Sequence, residues 1–156
     1  MNRARILIVG LVIALLVIGI AACGKDSPAN GSGGATSERK EQAKVDDEVA
    51  REELAEPNHA EAREWLRDPS HILFEGSREH VIALVDQFYH AGAPKVYVTG
   101  IDRLMDSDVT ATIVVELPAE KGARKKVFDA EASWQKDAGE DPALDVGQKY
   151  LRILLD

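Results

Sequence analysis

From residue 71 to the end of the chain, apolar positions alternate between two periods, and each switch of period marks an element. His71 to Glu75 is a short apolar run that reads as a strand, and Gly76-Ser77 turns it into a helix for which Ser77 is the expected cap. Val81, Leu84, Val85 and Phe88 then fall at i, i+3, i+4 and i+7, one apolar helix face that Gly92 and Pro94 end. Lys95 to Gly100 alternates, with Val96 and Val98 on one side and Tyr97 and Thr99 on the other. After the turn residues Asp106-Ser107-Asp108, Val109 to Leu117 puts five apolar side chains on one face of a third strand. Pro118 opens a helix expected to run to about Lys136, with Ala123, Val127, Ala130 and Trp134 inward. Gln148 to Asp156 closes as a fourth strand with Leu151, Ile153 and Leu155 toward the core.

The order β-α-β-β-α-β resembles the ferredoxin-like, split-βαβ arrangement and implies an α+β domain. Two helices are expected on one face of a four-stranded antiparallel sheet. The other face carries Tyr97, Thr112, Tyr150 and Arg152 as the candidate binding face, together with Leu73, Thr99, Val114 and Leu154. Its apolar content calls for a cover. The candidates are a second copy, another protein, or the short helix that Asn58-His59-Ala60-Glu61 opens as a capping box and in which Ala62, Trp65 and Leu66 share one side. Asp68-Pro69 stops that helix, so the folded domain is expected over 57–156. Residues 37–56 hold eight acids and four bases with only Val45, Val49 and Leu54 as larger apolar residues. That stripe is thin, and the segment reads as a solvated helix or disordered spacer, with a partner-binding helix as the alternative.

The first 22 residues are a different kind of sequence: Arg3 and Arg5, then an uncharged run from Ile6 to Ala22 rich in Leu, Ile and Val. This is the pattern of an export signal, and an uncleaved membrane helix is its rival. The run ends in Ile20-Ala21-Ala22-Cys23, which resembles the lipobox of bacterial lipoproteins. The resemblance implies cleavage after Ala22 and a diacylglyceryl group, with palmitate-type chains, on Cys23. Two acyl chains anchor stably where one binds only marginally. In enterobacteria-like cells an aspartate after the cysteine favours inner-membrane retention; Gly24 here implies the outer membrane of the cell envelope, if the organism has one. Residues 23–36, with Gly31-Ser32-Gly33-Gly34, then form a flexible tether.

Composition narrows the partners. Without the signal the chain has 17 basic and 27 acidic residues, a formal charge of −10. Such a surface repels phosphate backbones and argues against nucleic acid, leaving a membrane contact through lipid, a protein partner or self-association, and a small ligand. One cysteine excludes an internal disulfide. The four histidines have no metal-ligand spacing, and Asp102, Asp106 and Asp108 lack the glycine and distal glutamate of an EF-hand, so no metal or cofactor is expected.

The chemistry legible in the motifs is thin. Gly76, Ser77 and Arg78 form a candidate anion turn at a helix N-terminus, similar to the phosphate loop of acylphosphatases, but no asparagine follows Asn58 to position water. Glu140-Asp141-Pro142 with Asp145 and Gly147-Gln148 makes a compact acidic loop that reads as turn chemistry. No catalytic residue is assigned. The expectation is an envelope lipoprotein presenting a non-catalytic binding domain. The alternatives are a small hydrolase acting on an acyl or phosphoryl substrate through residues 76–78, and a self-associating module.

Overall fold

The computed structural model describes residues 32–73 and 77–155. Cys23 and Ala22, the candidate lipidation and cleavage residues, lie outside them, as does Gly76. The described chain is a mixed α+β fold. Its elements are α1 (Ser32–Ala55), β1 (Ala60–Glu61), α2 (Ala62–Trp65), β2 (Ile72–Leu73), α3 (Arg78–Ala91), β3 (Lys95–Thr99), β4 (Asp102–Leu104), β5 (Ser107–Thr110), β6 (Thr112–Glu116), α4 (Lys121–Ala138) and β7 (Tyr150–Leu154).

Four strands in the order β1-β3-β6-β7 pair antiparallel. The register Val96↔Val115 and Val98↔Ile113, continued by Val115↔Leu151 and Ile113↔Ile153, lines one face with branched aliphatics. Against that face pack Val81, Leu84, Val85 and Phe88 of α3 and Val127 of α4, all buried in one cluster. The expected pair of helices on one face is therefore present. Each helix ends on a left-handed glycine, Gly92 at φ 103° and Gly139 at φ 81°, a conformation that side chains with a Cβ resist. Helix α4 starts later than Pro118 because Glu120 caps it, its carboxylate accepting from the Gly122 and Ala123 N–H groups at 2.7 and 2.6 Å.

Three expectations are corrected. The strand at 71–75 does not join the main sheet: Ile72 and Leu73 pair parallel with Val109 and Thr110 in a separate sheet of order β2-β5-β4, and Ala60–Glu61 supplies the fourth main strand against Val98 and Tyr97. The long third strand is two strands, interrupted at Ala111. There the Thr110 hydroxyl donates to the Thr99 carbonyl at 2.6 Å and accepts from the Thr112 N–H at 3.2 Å, so its side chain takes bonds a continuous ladder would make. The chain thereby passes from the small sheet into the large one. The Trp65–Leu66 segment, finally, does not cover the open sheet face. Both residues are buried in the α3 side of the core, where the Trp65 ring stacks on His71 with centroids 4.5 Å apart. Glu61, not Asn58, caps that helix, accepting from Glu64 N–H at 2.9 Å.

The face left open by the sequence reading is covered by α1. Alanine, glutamate, lysine and arginine favour the helix intrinsically, and the pairs Glu41–Lys44 and Asp47–Arg51 close at 2.9 and 2.7 Å. Rather than a solvated spacer outside a domain beginning at 57, α1 belongs to one compact unit running from Gly31 to Asp156. Among its described side chains, only those of Ala43 and Ala50 are buried. What holds it is polar. Asp47 Oδ1 accepts from the backbone N–H groups of Lys149 and Tyr150 at 2.8 and 2.7 Å. The Glu53 carboxylate accepts from Thr99 Oγ1 at 2.7 Å and from Arg152 Nε and Nη2 at 3.0 and 2.8 Å.

Candidate functional site

The four residues proposed for a binding face do share one face of the sheet, but it is roofed. Arg152 is paired with Glu53, and Thr112 is buried. The Arg51 guanidinium lies 6.0 Å and the Lys149 ammonium 4.9 Å from the centre of the Tyr150 ring. Tyr97 meets the edge of the His59 ring with centroids 5.8 Å apart, and burial raises its pKa, with the neighbouring Glu116 adding to the shift. Self-association through this face would first require α1 to leave it.

The candidate anion turn is also spoken for. The Arg78 guanidinium donates to the carbonyls of His71 at 2.9 Å, of Asp68 at 2.5 Å, and of Leu66. It buckles the 66–71 turn to the start of α3, and an anion would have to compete with three carbonyl acceptors. Ser77 occupies the N-cap position without a side-chain capping bond; its hydroxyl donates to Glu79 at 2.7 Å.

Asp108 pairs with Arg103 at 2.8 Å across the β4–β5 hairpin, the turn role expected of this acidic stretch. Among the described residues no group of three His, Cys, Asp or Glu side chains is placed to hold a metal ion, and no helix is long and apolar enough to cross a membrane.

The structure gathers chemistry elsewhere, at the β7 edge of the sheet. A cleft of about 260 Å³ lies between Arg39 and Asp46 of α1, Glu131 and Gln135 of α4, Arg152 and Leu154 of β7, and the 140–144 loop. Glu131 is 1% exposed, the one buried ionisable side chain among the described residues. Both of its oxygens accept from the Ala143 N–H, at 3.1 and 3.2 Å, and the Gln135 side chain is its other donor. Desolvation raises its pKa above the usual carboxylate value, against the lowering effects of the Ala143 N–H, Gln135 and the positive charge of Arg39. Arg39 spans the rim, donating to the Pro142 carbonyl.

The loop forming one wall is rigidly tied. Arg124 grips Asp145 through Nε and Nη2 at 2.7 to 2.9 Å, with Nη2 also reaching the Gln148 carbonyl at 2.8 Å. The Gln148 side chain in turn accepts from Val146 N–H at 2.8 Å and donates to the Leu144 carbonyl at 2.9 Å. The Arg124 bond is the main reason the Asp145 pKa is lowered. Of the acidic loop noted in the sequence, Asp145 and Gly147-Gln148 make the turn, while Glu140-Asp141-Pro142 borders the cleft.

The apolar pattern puts Ala123, Val127, Ala130 and Trp134 on the inward face of α4 and leaves out Glu131. Its signal is nonetheless local: it lies one helical turn after Val127, an acid set in an apolar stripe. The chain matches no protein-family model, no curated protein and no solved structure.

Proposed function

We propose that this protein is a lipid-anchored envelope protein whose compact unit is a non-catalytic binding module, with the cleft at Glu131 as its ligand site. The anchor rests on the Ile20-Ala21-Ala22-Cys23 pattern behind a charged start and an apolar run. With α1 folded onto the sheet, residues 37–56 belong to the compact unit and not to a spacer. Gly24 directs the anchored protein to the outer membrane where the organism has one.

The observation that carries the binding reading is the buried Glu131 carboxylate in a cleft assembled from three separate parts of the chain. An ionisable group taken out of water at a concave site is an expense that structure alone rarely retains, and such groups cluster at functional sites. The groups around it, two guanidiniums, two amides and several carboxylates, suit the holding of a polar ligand. The hydrolase reading through 76–78 is disfavoured by the three carbonyls that occupy Arg78.

Two measurements test the proposal. Cys23→Ser should abolish lipid labelling and leave the precursor unprocessed; labelling at the mature size would refute the anchor. Amide chemical shifts of the mature protein should respond to binders at Ala143, Leu144 and Leu154. A partner or ligand whose every contact lies elsewhere refutes the cleft.

A further inference from the structure

The charges around Glu131 define what the cleft is able to hold. A carboxylate offers about four acceptor positions. Ala143 N–H, shared between both oxygens, and Gln135 are the donors the fold provides. Neither cation of the cleft forms a direct ion pair with Glu131: Arg39 acts on it through its charge but donates to the Pro142 carbonyl, and Arg152 pairs with Glu53 at 2.8 Å. Among the described residues Glu131 enters no ion pair, although a buried charge ordinarily needs one.

Three further carboxylates, Asp46, Glu140 and Asp141, stand around the same cleft, a field that draws cations and turns anions away. Beside them are apolar surfaces, with Leu154 49% exposed and Leu144 part-buried. A volume of about 260 Å³ admits a small molecule or a single side chain.

From this arrangement we infer that the cleft binds a small organic cation, an alkyl ammonium or alkyl guanidinium, whose charged head pairs with Glu131 and whose aliphatic stem lies against Leu144 and Leu154. The inference rests on the cleft being the ligand site and adds the ligand class. The head group supplies the donors the buried carboxylate lacks, and the short stem covers apolar surface that the fold leaves half-wet. An anion of equal size would meet four carboxylates against two guanidiniums that protein acceptors already engage.

The test uses the mature, lipidated protein in detergent, titrated with butylammonium and butylguanidinium as cations, and with butanol and butyrate as neutral and anionic counterparts, read by calorimetry and amide chemical shifts. The expected result is binding of the cations, shifts at Ala143 and Leu154, and affinity for butanol and butyrate lower by about tenfold or more, the scale of a charge-assisted bond. Glu131→Gln should weaken cation binding by a similar factor while the thermal midpoint at neutral pH does not fall. Asp46→Asn, which leaves the buried group intact, should weaken it by a smaller factor. Equal binding of butanol, or cation binding indifferent to Glu131→Gln in a folded protein, overturns the cation assignment while sparing the cleft. Absence of any shift at the cleft with all four probes overturns both.

Discussion

The two faces of the central sheet are covered by helices of opposite character. On one, α3 and α4 meet Val96, Val98, Ile113, Val115, Leu151 and Ile153 through Phe88, Leu84 and other apolar side chains. On the other, α1 meets Thr99, Tyr150 and Arg152 through Asp47 and Glu53, with two buried alanines between. The first contact is non-directional and scales with area; the second depends on the placing of a few carboxylates. The same fold therefore carries a cover that resists salt and a cover that does not, and the cleft at Glu131 lies against the second.

The contrast is open to attack from both sides, most severely at the apolar face. Phe88→Ala removes a fully buried ring and should cost about 3–5 kcal/mol in a denaturant melt. On the polar face Glu53→Ala strands the half-buried Arg152 guanidinium and frees the Thr99 hydroxyl, and should cost about 2–3 kcal/mol. If its loss falls below 0.5 kcal/mol, on the order of an exposed pair, the polar account of α1 fails. Asp47→Ala leaves two backbone N–H groups at the β7 edge without their carboxylate and should cost about 1–2 kcal/mol. The exposed Lys125–Asp129 pair on α4 serves as control, since Asp129→Ala should change stability by less than about 0.5 kcal/mol.

At Glu131 the expected effect is a matter of sign. The Glu131 pKa is raised in the folded state, so its favourable contribution is complete below the unfolded carboxylate value near 4.5 and is lost as pH rises through the folded value. Asp145, its pKa lowered chiefly by Arg124, behaves oppositely and loses its contribution as pH falls. Glu131→Gln keeps an acceptor for the Ala143 N–H and removes the buried charge. The variant should gain stability relative to the parent between acid and neutral pH, by about 1 kcal/mol or less. A parent that gains on the variant as pH rises would contradict the environment described for Glu131.

The same contrast explains which parts of the fold the sequence disclosed. The apolar face was legible because burial writes itself as a period: Val81, Leu84, Val85 and Phe88 on α3, Val96 and Val98 on β3, Ile113 and Val115 on β6. Helix α1 was not, because Asp47 and Glu53 look like any solvated acids until their backbone and guanidinium partners, about a hundred residues away, are in place. The strand switch at Ala111 was hidden for a related reason, since Val109 to Leu117 alternates without a break while the Thr110 hydroxyl interrupts the ladder. Gly76 and Ser77 beside Arg78 suit an anion in the sequence; in the fold the partners of Arg78 are carbonyls of the preceding turn. The candidate site shared this fate. Its wall at Glu140-Asp141-Pro142 was visible as composition, and its centre, Glu131, was concealed inside a helix drawn as apolar.

The polar attachment of α1 is the claim on which both the covered sheet face and the cleft depend, and amide hydrogen exchange of the mature protein measures it directly. Residues 43–53 should be protected in low salt at neutral pH, and should lose protection in high salt or acid before the amides of α3 do. Exchange of residues 43–53 at free-chain rates in low salt, beside a protected α3, would contradict the account and leave the cleft without one of its walls.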